Sequence, residues 1–187
     1  FHMKCTHPFN EIKGADNVAN DLWIPIRNSF QPIQRRMDIF YAGTNLRDNH
    51  SSKWVVNMGH LLGIFNNPFL GIVPTRKAVM LWYCEFYRVE NNKITEGAFF
   101  LDILKFMQQL QLPIIPESTG MIGFNPGPMT HDGLYFNKQP EDEGQKTLDL
   151  IMRMANRLVG GGMKTTVPDL EKDWHEDMIW WGPGGIG

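Results

Sequence analysis

Three β-rich runs, at residues 53–65, 77–90 and 94–102, constrain this chain more than any other feature of it. The first, KWVVNMGHLLGIF, alternates for too long to be a loop and reads as one long strand, with Gly59 and Gly63 marking bends or bulges. The second, KAVMLWYCEFYRVE, is aromatic and strand-forming. Asn91-Asn92 before Lys93 reads as a hairpin turn, so the third run returns beside the second.

Helical signals lie outside this block. Residues 15–29 (ADNVANDLWIPIRNS) place Val18, Leu22, Trp23 and Ile26 at i, i+4, i+5 and i+8, one apolar stripe that Pro25 should end or kink. Residues 36–42 read as a strand, 66–74 as an Asn/Pro/Gly loop, and 103–111 as a short helix. Residues 143–159 form an amphipathic helix with Leu148, Ile151, Met152, Ala155, Leu158 and Val159 on one face, stopped by Gly160-Gly161-Gly162. Residues 167–174 read as further helical turns and 178–181 as a strand. Helices and hairpin segregate rather than alternate. The expected class is therefore α+β, a curved antiparallel sheet closed by helices into a cone around a cavity. Residues 1–135 would form this domain. Residues 136–187 would either complete the cone or begin a second unit.

Composition narrows the function classes. At 187 residues, with 42% hydrophobic and 20% charged, the chain can build a core. A formal charge of −2 leaves no basic footprint for nucleic acid, and no apolar run approaches the roughly 20 residues of a membrane span. Phe1-His2-Met3-Lys4 does not read as a signal peptide. Cys5 and Cys84 have no metal spacing, and Cys84 in its apolar run reads as a buried free thiol, so a cytoplasmic location is expected. The 12 Phe, 11 Met, 6 Trp and 4 Tyr suit an adaptable apolar cavity as well as a core.

The last ten residues, MIWWGPGGIG, contain G-x-G-x-x-G, but no helix N-terminus follows to hold a pyrophosphate. A strand running into a tight turn is expected instead. Met178 and Pro183 repeat the spacing of Met3 and Pro8, which suggests the start of a second structural unit. His175-Glu176-Asp177 resembles a metal cluster only in composition, with no third ligand at suitable spacing.

Asp102 stands at a strand end before a helix, among Phe99, Phe100 and Phe106. It reads either as a helix N-cap or as a carboxyl tuned by apolar surroundings for proton transfer, and the two roles are compatible. Glu85 is out of place in WYCEFY; it is either a functional acid near Tyr83 and Tyr87 or a partner of Arg88 or Lys53 across the sheet. His60 shares a strand face with Trp54, Val56 and Met58, as a core histidine or as a base.

The ordered string GHLLGIF (59–65), LGIVPTRK (70–77), EFYRV (85–89), KITE (93–96), Leu101-Asp102 and Gln109-Leu110 resembles the SnoaL-like polyketide cyclase family, within the nuclear-transport-factor-two-like superfamily. The resemblance spans residues 1–135, and residues 174–187 look like the opening of another such unit in a tandem protein. It implies a cone-shaped α+β barrel and cofactor-independent aldol cyclisation, with Asp102 at the position of the acid/base aspartate and His60 in the matching strand region. Arg76, Gln111 and Ala98 depart from the family pattern, so substrate identity does not carry over.

Together these readings predict a cyclase, isomerase or lyase that uses Asp102, His60 and Glu85. Its small apolar or aromatic carbonyl substrate would contact Trp54, Met58, Trp82, Tyr83, Phe86, Ala98 and Phe100. No cofactor, metal, nucleic acid or membrane is implied; a homo-oligomer or tandem-domain pairing is. The alternative is a non-catalytic small-molecule-binding or dimerisation module of the same fold.

Overall fold

The alternating run at the centre of the sequence is a strand from its first residue to its last, Lys53–Phe65. It belongs to a computed structural model that describes residues 1–112, 127–178 and 182–183. Among the described residues six strands form one sheet: β1 (His2–Cys5), β2 (Glu11–Lys13), β3 (Phe30–Thr44), β4 (Lys53–Phe65), β5 (Ala78–Glu90) and β6 (Lys93–Leu101). Their order is β2-β1-β6-β5-β4-β3. Asn91 and Asn92, both at positive φ, make the tight β5–β6 turn that the sequence signals.

The sheet differs from the expected one in two respects. It is mixed, because β1 runs parallel to β6 while every other pair is antiparallel. Among the described residues it is also open, with β2 and β3 as its edges, so the α+β class holds without barrel closure. Strand β3 is much longer than the 36–42 read from sequence. Its first half, FQPIQR, is largely solvent-facing and so lacks apolar alternation, and an edge strand tolerates Pro32.

The amphipathic segment packs as helix α1 (Ala15–Val18), a π-helical turn (Ala19–Trp23) and helix α2 (Ile24–Ser29). Val18, Leu22 and Ile26 are buried, one above another. Pro25 does not end the helix. It lies in the first turn of α2, and the wider π turn before it takes up the misfit.

These helices join Met3, Leu61, Phe65, Val79, Leu81, Phe99 and Leu101 in a single core. Phe30 touches the rings of Phe65, Phe69 and Phe106 at centroid distances of 5.2, 5.2 and 5.5 Å. Each such ring removed from water stabilises the fold by about 1.5–3 kcal/mol. Helix α3 (Ile103–Gln109) brings Phe106 to this cluster. Gln109 fixes α3 to β5, accepting from Met80 N at 2.9 Å and donating to Met80 O at 2.7 Å.

The chain divides into two compact units, one within Phe1–Phe136 and the other within Asn137–Gly182. The second is helical: α4 (Glu141–Gly161) and α5 (Val167–Leu170). Arg153 and Arg157 of α4 both bond to the buried Asp173 carboxylate, and Trp174 Nε1 donates to Met154 Sδ at 2.7 Å. Ile151, Met152 and Val159 of the expected apolar face are exposed. Residues 179–181 of the expected strand, and 184–187 of the glycine-rich ending, lie outside the described residues.

Candidate functional site

Register decides which side chains meet. Strands β4 and β5 pair without interruption from Lys53↔Val89 to Ile64↔Ala78, so period-two alternation assigns every residue to a face. Asn57, Tyr83, Glu85 and Tyr87 share the face that carries Leu61, Leu81 and the helices, here called the core face. Trp54, Met58, His60, Trp82, Cys84 and Phe86 point to the other, outer face. Ala98 and Phe100 join them through the pairs Phe86↔Ala98 and Cys84↔Phe100.

The single cavity expected from sequence is therefore split by the sheet. Tyr83 and Glu85 lie on one side. Trp54, Met58, His60, Trp82, Phe86, Ala98 and Phe100 lie on the other. The two registers explain the misreading: Glu85 and His60 are both apolar-flanked, but one occupies an odd position and the other an even one.

On the core face Glu85 is 0% exposed. Its Oε2 accepts from Arg35 Nη2, in a short ion pair, and from Asn57 Nδ2 at 3.4 Å. Arg35 Nε also donates to the Tyr83 hydroxyl at 3.1 Å, and that hydroxyl donates to Arg36 O at 3.2 Å. The guanidinium lies 4.9 Å from the Tyr83 ring centroid and 5.6 Å from that of Trp23. Its own side chain is 41% exposed, so the network has a buried acid behind an accessible cation.

Burial raises the Glu85 carboxyl above the usual carboxylate range, and the facing Arg35 opposes this only in part. The Tyr87 hydroxyl is pushed up by burial first and by the Glu85 charge second. Burial also raises Tyr83, against the pull of Arg35. For Arg35 itself burial works against the charged form, and Glu85 and Tyr83 outweigh it.

Sequence reasoning offered Arg88 or Lys53 as the Glu85 partner. Arg88 instead pairs with Glu90 at 2.5 Å and Glu96 at 3.9 Å. Arg35 was missed because it lies in the polar run QRR and reads as a solvated charge. The usable signal was indirect: a carboxylate inside WYCEFY needs a cation from another strand.

On the outer face His60 Nδ1 lies 2.8 Å from Asp38 Oδ2, and both residues are buried. Asp38 falls at the β3 bulge between Met37 and Ile39. The same bulge faces Gly59, where an added Cβ would lie 2.0 Å from Arg36 O. Gly59 thus serves close approach of β3, while the β4–β5 pairing passes through it without a register shift. The ring of Trp82 lies 6.4 Å from His60 and carries Lys105 Nζ at 4.2 Å on its face. Phe100 is 49% exposed and contacts Phe86 edge-on.

Asp102 caps α3: its Oδ1 accepts from Lys105 N at 2.9 Å. Of its two compatible roles, the cap is the one this bond forms. Among the described residues no three His, Cys, Asp or Glu side chains converge as a metal site, and no helix is long and apolar enough to cross a membrane.

No family model and no curated protein matches this chain. Among solved structures it is similar to AclR, a candidate hydroxylase from Streptomyces galilaeus, at 19% identity over 63% of this chain and 68% of that one, with a TM-score of 0.49. It is also similar to a candidate SnoaL-like polyketide cyclase from Jannaschia, at 18% identity over 60% and 72%, TM-score 0.47. An NTF2-like protein from Burkholderia thailandensis matches at 16% identity over 60% and 77%, TM-score 0.44.

Proposed function

We propose that this chain is a cofactor-independent acid/base enzyme of the SnoaL-like type, acting on a small apolar or aromatic carbonyl compound held against the core face. The observation that supports this most is the wholly buried Glu85 carboxyl joined to the accessible Arg35 guanidinium. Such a pair puts a positioned cation where a ligand oxygen arrives and a carboxyl of raised proton affinity directly behind it.

In this reading Arg35 polarises the carbonyl and holds the charge that develops on its oxygen. As that oxygen takes the outward donors of Arg35, the ionised Glu85 carboxylate behind it takes the α-proton. The C–H electron pair becomes the enolate, and its negative oxygen stays beside Arg35. Return of the proton to another carbon gives isomerisation. Attack of the enolate carbon on a second carbonyl, with the proton passing from Glu85 to the new alkoxide, gives aldol cyclisation. Tyr83 and Tyr87 keep Glu85 and Arg35 in place. Asp102, which the resemblance matches to the acid/base aspartate, is assigned to the α3 cap instead. Pairing with a second copy or a tandem unit belongs to the same proposal, as does a reducing, cytoplasmic setting for the free thiols Cys5 and Cys84.

The complete burial of Glu85 also favours a second reading, in which the pair binds a ligand and no chemistry follows. Exchange of α-protons for deuterium in 2-tetralone, followed by NMR, separates the two. The enzyme reading expects exchange that Glu85→Gln slows by about 100-fold. A bound ketone that exchanges no faster than in buffer supports the binding module.

A further inference from the structure

We propose that the chain pairs with a second copy of itself through helix α4, the two helices lying antiparallel with their apolar stripes face to face. This gives a surface to the pairing proposed above and rests on it, not on the acid/base chemistry.

The spacing is that of a helix seam. Leu148, Met152, Ala155 and Val159 follow one another at intervals of four, three and four residues, the alternation by which two helices interlock. Ile151 and Leu158 flank this line on one side. The stripe is largely open: Ile151, Met152 and Val159 are 45%, 43% and 85% exposed, and none of the residues of α4, all of them described, is buried. An amphipathic helix owes most of its stability to the packing of its apolar face, so this one needs a cover.

Its own unit packs elsewhere on the helix. Arg153 and Arg157 hold the Asp173 carboxylate, and Met154 Sδ accepts from Trp174. At about 100° per residue, Arg153 and Arg157 point well away from Leu148, and the stripe remains over.

Charge selects the occupant and its direction. Glu141, Asp142 and Glu143 make the first turn acidic, and two lysines, Lys138 and Lys146, face these three carboxylates. Lys164 follows the other end of α4 in a 3₁₀ turn (Gly162–Lys164). An antiparallel register that sets Leu148 against Val159 and Met152 against Ala155 brings Glu143 level with Lys164 of the second copy. It also lays opposite helix dipoles side by side, whereas a parallel pair would bring acidic turn to acidic turn. Met152 against Ala155 matches a long side chain to a short one twice, once on each side of the two-fold axis. One stripe thus supplies both halves of the contact.

The test is sedimentation equilibrium of the full chain. It should reach twice the mass of the chain, and a chain still monomeric at about 1 mM would overturn the inference. Met152→Glu puts a carboxylate into the seam from a position already exposed. Circular dichroism should therefore show the fold kept while the dissociation constant rises at least about ten-fold. Phe100→Glu, on the outer face of the sheet, should leave the dissociation constant unchanged. The reverse pattern would move the contact to the sheet and overturn the inference. Direction is read by mixing Leu148→Cys with Val159→Cys chains under diamide, with the natural chain and its free Cys5 and Cys84 as the blank. The two variants should cross-link to each other. Cross-linking of Leu148→Cys to itself in place of this would overturn the antiparallel order. A monomer removes the second-copy pairing along with this surface, and deuterium exchange into 2-tetralone on the same sample decides the chemistry independently.

Discussion

His60 and Glu85 occupy opposite faces of one sheet, His60 in register with Trp82 and Glu85 in register with Asn57 on the same pair of strands. Two buried polar clusters are thereby insulated from each other by the backbone, one centred on the His60–Asp38 pair and one on the Glu85–Arg35 pair. Their mutational effects should be independent, as expected for groups with no shared partner.

Asp38→Ala should destabilise the fold by about 1–3 kcal/mol, because it leaves a buried histidine nitrogen without its partner. Urea denaturation measures this. Ketone affinity should be unchanged. A loss of affinity as large as that from an Arg35 substitution would move the site to the outer face.

Gly59→Ala should be costly, at about 1–3 kcal/mol or more, because the added methyl would lie 2.0 Å from the Arg36 carbonyl oxygen and 3.1 Å from the Tyr83 hydroxyl. The contact is with backbone, so β3 must shift, and the Tyr83–Arg36 bond shifts with it. Ligand affinity should drop along with stability. A fully stable variant would contradict the close β3–β4 approach.

Asp102 discriminates capping from catalysis. Asp102→Ala should cost about 1 kcal/mol of stability through the lost bond to Lys105 N, and Asp102→Asn far less, since Asn also caps well. Deuterium exchange into 2-tetralone should persist in both. Collapse of exchange in the Asn variant would restore Asp102 as the acid/base.

The pH dependence has a definite sign. Burial holds the folded Glu85 carboxyl above its ordinary value of 4.5, so the folded state keeps a proton that the unfolded chain has released. The Glu85 contribution is then fully present below the unfolded value and is lost as pH rises through the folded one. As pH rises above about 4.5, unfolding free energy should fall more steeply for the natural chain than for Glu85→Gln. Parallel curves from a series of urea titrations would contradict the raised carboxyl.

The hairpin and the helical stripe were legible because each obeys a local period. Lys53–Phe65 alternates throughout, Asn91-Asn92 supplies two positive φ angles, and Val18, Leu22 and Ile26 recur every four residues. The site was legible only in part. Glu85 stood out as a charge among apolar neighbours, but its partner Arg35 lies 50 residues away in an exposed-looking run. The faces were misjudged for a related reason. Alternation within β4 and β5 says which residues share a side, and only the register between them says which sides coincide. The parallel β1–β6 pair was invisible because three- and four-residue strands show too little pattern.

The central claim is that ligand is held on the core face at Arg35, and the indole N–H resonances of the tryptophans report it directly. Trp23 belongs to that face, while Trp54 and Trp82 belong to the other. In a titration with 1-acetonaphthone followed by NMR, the Trp23 signal should move saturably and those of Trp54 and Trp82 should stay in place. Movement of Trp54 and Trp82 with Trp23 unperturbed would contradict the account.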